Sequence, residues 1–199
     1  TSITLSATGL ADATLQTSGT TVAVAGTVDS ASGTDGAGFT IIDADIATQF
    51  AGNVGATVAV EKMDIAAIKV DLDGATNAIE VTHFSGDGEL EFGTGAAQTV
   101  TGKITTVNET GTVENGSTTG TLTITGTIGT DAARVKEIAL LDNTDTTFQS
   151  AVFALTLDID TAALDDVTTF TAANLIGNDT GGNGGALTIV GGTIVLDTA

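Results

Sequence analysis

Apolar and polar residues alternate with a period of two from one end of the chain to the other. Ile3-Thr4-Leu5, Val22-Ala23-Val24, Phe39-Thr40-Ile41, Val58-Ala59-Val60, Ile68-Lys69-Val70-Asp71-Leu72 and Leu90-Glu91-Phe92 carry the pattern through the first half. Leu122-Thr123-Ile124-Thr125, Leu155-Thr156-Leu157-Asp158-Ile159, Leu187-Thr188-Ile189 and Ile194-Val195-Leu196 carry it through the second. This is the period of strands that bury one face. Gly, Asn and Asp separate the runs, as in Gly33-Thr34-Asp35-Gly36, Asp73-Gly74, Gly86-Asp87-Gly88, Asn115-Gly116 and the stretch from Gly177 to Gly185. They supply the positive φ that tight turns require. The pattern predicts an all-β chain of short strands. Two segments allow a short helix, with a turn or irregular strand as the equal alternative. They are Thr130 to Glu137, where capping residue types precede helix formers, and Ile42 to Phe50, with Asp43 or Asp45 as the cap.

A longer period overlies the short one. The trio apolar–x–apolar starts at Val58, Leu90, Leu122, Leu155 and Leu187, in nearly equal steps along the chain. Val107, Ile138 and Phe170 fall roughly midway. Self-similarity at a fixed spacing is the mark of stacked repeats that bury one continuous apolar column. The expected fold is a β-solenoid with a coil of about 32 residues, or two of about 16. A β-sandwich or jelly roll satisfies the same strand spacing and stands as the alternative. Residues 1–199 read as a single all-β domain, subdivided into N-terminal strands (1–55) and a repeat region (56–199).

Composition narrows the function classes. Hydrophobic residues make up 41% and mean hydropathy is +0.32, so the chain folds despite its charge. Thr contributes 40 residues and Gly 26; there is no Pro, Cys, Trp or Tyr. Absence of Pro suits central strands, whose N–H groups must all reach the ladder. Without Cys there is neither a disulfide framework nor a thiolate metal site. Five basic against 25 acidic residues give a net charge of −20, which repels nucleic acid and anionic lipid. No apolar run is long enough to span a bilayer as a helix. The first residue is Thr rather than Met, which leads to the expectation that a leader has been removed.

From about Gly88 to the C-terminus the chain resembles the passenger regions of bacterial autotransporters and other repetitive, surface-layer-like proteins of the bacterial cell surface. The residues carrying the likeness are Gly88-Glu89-Leu90-Glu91-Phe92-Gly93, Ala97-Gln98-Thr99-Val100-Thr101-Gly102, Gly120 to Gly129, and Thr146-Thr147-Phe148-Gln149. The likeness is one of style, without an invariant motif, and no membrane-barrel translocator accompanies it. It implies an exported β-helical protein, adhesive or layer-forming, outside a microbial cell.

Chemistry centres on acidic turns. Asp71 with Asp73, Asp158 with Asp160, and Asn178 with Asp179 are the candidate ligands for Ca²⁺, since hard cations take several oxygen ligands from flexible turns. Asn178-Asp179 with its glycine-rich sequel resembles one turn of a calcium-binding nonapeptide repeat, which requires tandem copies. Catalysis is not expected. Arg134 is the single Arg, His83 the single His, no Gly-x-Ser-x-Gly elbow is present, and no long loops build a cleft. The expected function is therefore structural: a subunit that polymerises by strand addition into an extracellular filament or S-layer. Ile3 and Leu5 at one end and Ile194 and Leu196 at the other are the candidate self-assembly residues. Strand edges uncapped by Lys or Pro recruit further strands. The alternative is an adhesive module of a larger surface protein or phage fibre that binds a cell-surface glycan. Ice binding would demand a Thr-x-Thr ladder at fixed period, of which the sequence displays only patches such as Thr121 to Thr127.

Overall fold

β-Branched and other apolar residues at every second position give each strand one face to bury, and parallel neighbours provide the burial. In the computed structural model the described residues are 2–5, 13–17, 21–30, 40–44, 46–66, 68–93, 96–141, 144–159, 166–172, 175–176, 186–189 and 193–196. They form parallel strands in two nine-stranded sheets and one two-stranded pair, and no helix. There is accordingly no helix among them long and apolar enough to cross a membrane. Thr130 to Leu140, which covers one of the two segments open to a helix, is a turn and an extended strand (Val135–Leu140). Within Ile42 to Phe50 no described residue is helical, and most lie in the strands Thr40–Ala44 and Thr48–Phe50. Pairing to neighbouring coils outweighs helix propensity in both places.

One nine-stranded sheet is bent along its length. Its longest strands, Thr76–Phe84 and Gln98–Thr106, shift register between Thr101 and Lys103. Gly102 marks the bend: its φ is +97°, and a Cβ there would lie 1.7 Å from the carbonyl oxygen of Ile79. The N-terminal halves pair onward to Leu122–Ile124, Thr146–Phe148, Val167–Phe170 and Thr193–Leu196, making a first face. The C-terminal halves belong with Val60–Ile65, Thr40–Ala44 and Ala13–Thr17, making a second. The third face is the other sheet. It runs from Val22–Val24 through Thr48–Phe50, Lys69–Leu72, Glu89–Phe92, Thr110–Asn115 and Val135–Leu140 to Phe153–Ile159. Leu175–Ile176 and Ala186–Ile189 both pair with that last strand.

The chain is a β-solenoid, and its register sets the coil length. On the first face Val28, Val54, Asn77, Val100, Ile124, Phe148 and Phe170 stack in one inward column. Successive members of that column make each coil about 24 residues long. This corrects the 32-residue coil, and the 16-residue one with it. The step from one sequence trio to the next differs from the coil length, so the trios do not stack on one face. Leu90 consequently lies on the third face and Leu122 on the first, while Leu187 returns to the third beside Leu157. Leu155 is only half-buried, and Val58 is in no strand.

One apolar cluster fills the interior, with Phe50, Phe84, Phe92 and Phe148 among its largest fully buried side chains. Phe148 stacks on Phe170 with ring centroids 4.9 Å apart. Buried polar side chains satisfy backbone groups where coils turn. Gln98 Nε2 donates to the carbonyls of Leu72 and Gly74, and Asn77 Nδ2 donates to Gly74. Asn115 Nδ2 donates to the hydroxyls of Thr144 and Thr146, inside the fold.

Candidate functional site

The third face places its outward side chains in straight columns. In Lys69–Leu72 and Glu89–Phe92 the residues Val70, Leu72, Leu90 and Phe92 point inward, leaving Lys69, Asp71, Glu89 and Glu91 outside. Parallel pairing aligns Gln49, Asp71, Glu91, Glu114, Ala139 and Asp158 in one column, and Lys69, Glu89, Thr112, Glu137 and Thr156 in the next. Neighbouring strands are about 4.8 Å apart, so three consecutive carboxylates are held closer than free acidic side chains would settle.

Lys69 answers part of that repulsion. Its Nζ is 2.6 Å from Glu89 Oε1, 2.6 Å from Glu91 Oε2 and 3.9 Å from Glu114 Oε1. Burial alone would lower its pKa, but hydrogen bonds and charge from Glu89 and Glu91 raise it well above the ordinary lysine value. Carboxylate oxygens of Glu89, Glu91 and Glu114 lie within 4.8 Å of one another, close enough to hold a metal ion. The Lys69 ammonium stands at that point as a built-in cation.

Asp71 has no such partner. Gln49 Nε2 donates to Asp71 Oδ2 at 3.3 Å and to Asp73 Oδ2 at 2.8 Å, while Asp71 Oδ1 is buried without a hydrogen bond. Burial, then the charges of Asp73 and Glu91, push the Asp71 carboxyl up to about 6. Gly93 leaves the room these groups occupy, since a Cβ there would lie 2.9 Å from Asp71 Oδ1. Beside this column a shallow cleft of about 340 Å³ is lined by Ile68, Lys69, Asp87, Gly88, Glu89, Thr112 and Lys136. Lys136 Nζ is paired there with Asp87 Oδ2 at 2.8 Å.

Of the residues singled out in the sequence, Asp71 and Asp73 are brought together. Asp158 shares their column but stands four strands away, about 19 Å at sheet spacing. Asp160, Asn178 and Asp179 lie outside the described residues. Glu89, Glu91, Glu114, Lys69 and Gln49 were missed, because only the true coil length sets their strands side by side. Ser2–Leu5, which holds Ile3 and Leu5, pairs in parallel with Thr27–Ser30 of its own chain. Ile194 is half-buried against the core opposite Thr168, and Leu196 pairs with Phe170.

No family model, curated protein or solved structure matches this chain. Its chemistry must be read from the side chains alone. On the second face Asp64, His83 and Thr105 align across three strands, a combination that invites comparison with a nucleophile–base–acid set. Thr105 Oγ1 lies 3.0 Å from His83 Nδ1 and 3.3 Å from the carbonyl of Thr82, and its single proton serves one of the two at a time. Asp64 is bonded by Lys62 Nζ at 2.7 Å. Burial opposes ionisation of Asp64, but hydrogen bonds from Lys62 and Ser85 and the charges of Lys62 and His83 together hold it below the usual carboxylate range.

Proposed function

We propose that the protein is an exported structural subunit that assembles end to end, by strand addition, into an extracellular filament or surface layer. The observation that carries this reading is that, among the described residues, none of the parallel sheets closes on itself. Among the described residues Ser2–Leu5, Ala13–Thr17 and Val22–Val24 each pair with one other strand, as do Ala186–Ile189 and Thr193–Leu196 at the other end. A parallel strand with one neighbour offers a row of unpaired N–H and C=O groups. Ends of opposite polarity join head to tail, and such contacts propagate as open fibres. Export to a microbial surface rests on the sequence likeness and the acidic, Cys-free composition. Ca²⁺ bound along the Asp71–Glu91–Glu114 column would relieve repulsion within a subunit and between lateral neighbours.

Electron microscopy of the purified chain tests the assembly. Filaments one solenoid wide, lost when residues 1–6 are deleted, are the expected result. A chain that stays monomeric at high concentration, or fibres unaffected by the deletion, would overturn it. Chelation with EDTA followed by a melting curve tests the cation, and an unchanged curve argues against bound Ca²⁺.

A further inference from the structure

The first face carries a side-chain lattice that neither the acidic column nor end-to-end assembly uses. Thr76, Thr99, Thr123, Thr147 and Thr169 occupy one outward column on five successive coils. Two positions further along the same strands are Ala78, Thr101, Thr125, Gln149 and Thr171. Backbone bonds from Thr125 N to Val100 O, Gln149 N to Ile124 O and Thr171 N to Phe148 O keep this second column in step. Thr-x-Thr thus recurs as Thr99-Val100-Thr101, Thr123-Ile124-Thr125 and Thr169-Phe170-Thr171, with Thr147-Phe148-Gln149 between.

We propose that this face binds ice. Its columns repeat at about 4.8 Å along the solenoid and about 6.6 Å along each strand, a regular two-dimensional grid on the scale of the oxygen lattice of hexagonal ice. Five coils give an array about 19 Å long.

Three further observations select crystalline water over other occupants. First, the hydroxyls of Thr76, Thr99, Thr101, Thr123, Thr147 and Thr169 have no protein hydrogen-bond partner among the described residues. Thr125 and Thr171 of the second column donate to the carbonyls of Val100 and Phe148, as Thr105, Thr106 and Thr110 do to carbonyls on other parts of the coil. Second, the array contains no aromatic ring on which a sugar could stack. Asp145, at its border, accepts from the backbone N–H of Val167 at 2.8 Å. Asp71, Glu89, Glu91, Glu114 and Glu137 cluster instead on the third face, so a mineral or cationic partner would be drawn there. Third, Thr is β-branched and stiff at χ1, which holds methyl and hydroxyl in the same orientation on each coil. The methyls order adjacent water as apolar surface does, and the hydroxyls anchor it through water-mediated bonds.

This inference is independent of polymerisation: a monomer would bind ice, and a filament would repeat the face. The test is ice-recrystallisation inhibition and microscopy of single ice crystals with the full chain. Wild type is expected to arrest grain growth and facet crystals. The double variant Thr123→Tyr, Thr147→Tyr is expected to lose both effects, and the near-isosteric Thr123→Val to weaken them, with unchanged far-ultraviolet circular dichroism. Thr156→Tyr, the same change on the third face, should retain them. Should the Tyr variant not fold, Thr123→Val decides alone. Wild type without effect on ice, or Thr-face variants equal to wild type, would overturn the proposal. So would a dimer in sedimentation that the Tyr variant disperses while ice growth is untouched, since the face would then seat a second copy.

Discussion

Asp71→Asn removes one charge from the acidic column while keeping the shape of the side chain. In the fold the Asp71 carboxyl titrates near 6, against 3.8 for a free aspartate. At about 1.4 kcal/mol per pKa unit the ionised form carries a gross penalty of about 3 kcal/mol. Asp71 is partly exposed, so solvent screening reduces this to about 1–1.5 kcal/mol. The sign follows from linkage: the folded state binds its proton more tightly than the unfolded state. The penalty is absent below about pH 3.8, grows as pH rises towards 6, and is complete above it. Asp64 has the opposite sign, but its contribution is lost only as pH falls below the ordinary aspartate value, so it does not interfere at higher pH. Gln49 Nε2 can still donate to an Asn side-chain oxygen. Urea or thermal melts at pH 8 and pH 4 in EDTA are the assay. The variant should melt higher at pH 8 by roughly 2–5 °C, and the gain should vanish at pH 4. A variant no more stable than wild type at pH 8, or an equal gain at both pH values, would refute the reasoning.

Three other changes probe the same framework. Lys69→Met strips Glu89, Glu91 and Glu114 of their shared cation. It should cost about 1 kcal/mol in EDTA, the pair being partly exposed, and millimolar Ca²⁺ should raise its melting temperature more than it raises that of wild type. Phe148→Ala empties a buried site beside Phe170 and should lower stability by about 3–5 kcal/mol, read from the urea midpoint. Gly126→Ala would set a Cβ 1.7 Å from the carbonyl oxygen of Gly102, a backbone clash expected to abolish soluble expression, whereas Gly116→Ala meets mainly the flexible ends of Glu91 and Glu114 and should be tolerated.

Much of the fold was legible in the sequence because strand alternation is local. Leu90-Glu91-Phe92, Leu122-Thr123-Ile124 and Leu187-Thr188-Ile189 are strands where the pattern placed them. The coil length was not legible, because it depends on corner turns of unequal length and on pairing between positions roughly two dozen apart. Trios of similar appearance came from strands on different faces, and equating them hid both columns that matter. Asp71 and Asp73 are neighbours in sequence and were found; Glu91 and Glu114 reach them only through register. The Thr patch at 121–127 was visible within one coil, but its continuation through Thr99, Thr147 and Thr169 exists only across coils.

The acidic column and the Thr face both descend from that register, and excising one coil tests it. Gln98 pairs with Leu122, and Thr99 with Thr123, so deleting residues 99–122 joins Gln98 to Thr123 and leaves every later strand one coil nearer the N-terminus on its own face. Stacked repeats contact only their neighbours, so the shortened chain should fold, keep its β-sheet circular dichroism and melt cooperatively. A companion deletion of residues 99–130, matched to the spacing of the sequence trios, should not. Loss of structure in the first deletion, or its retention in the second but not the first, would contradict the coil length that the register sets.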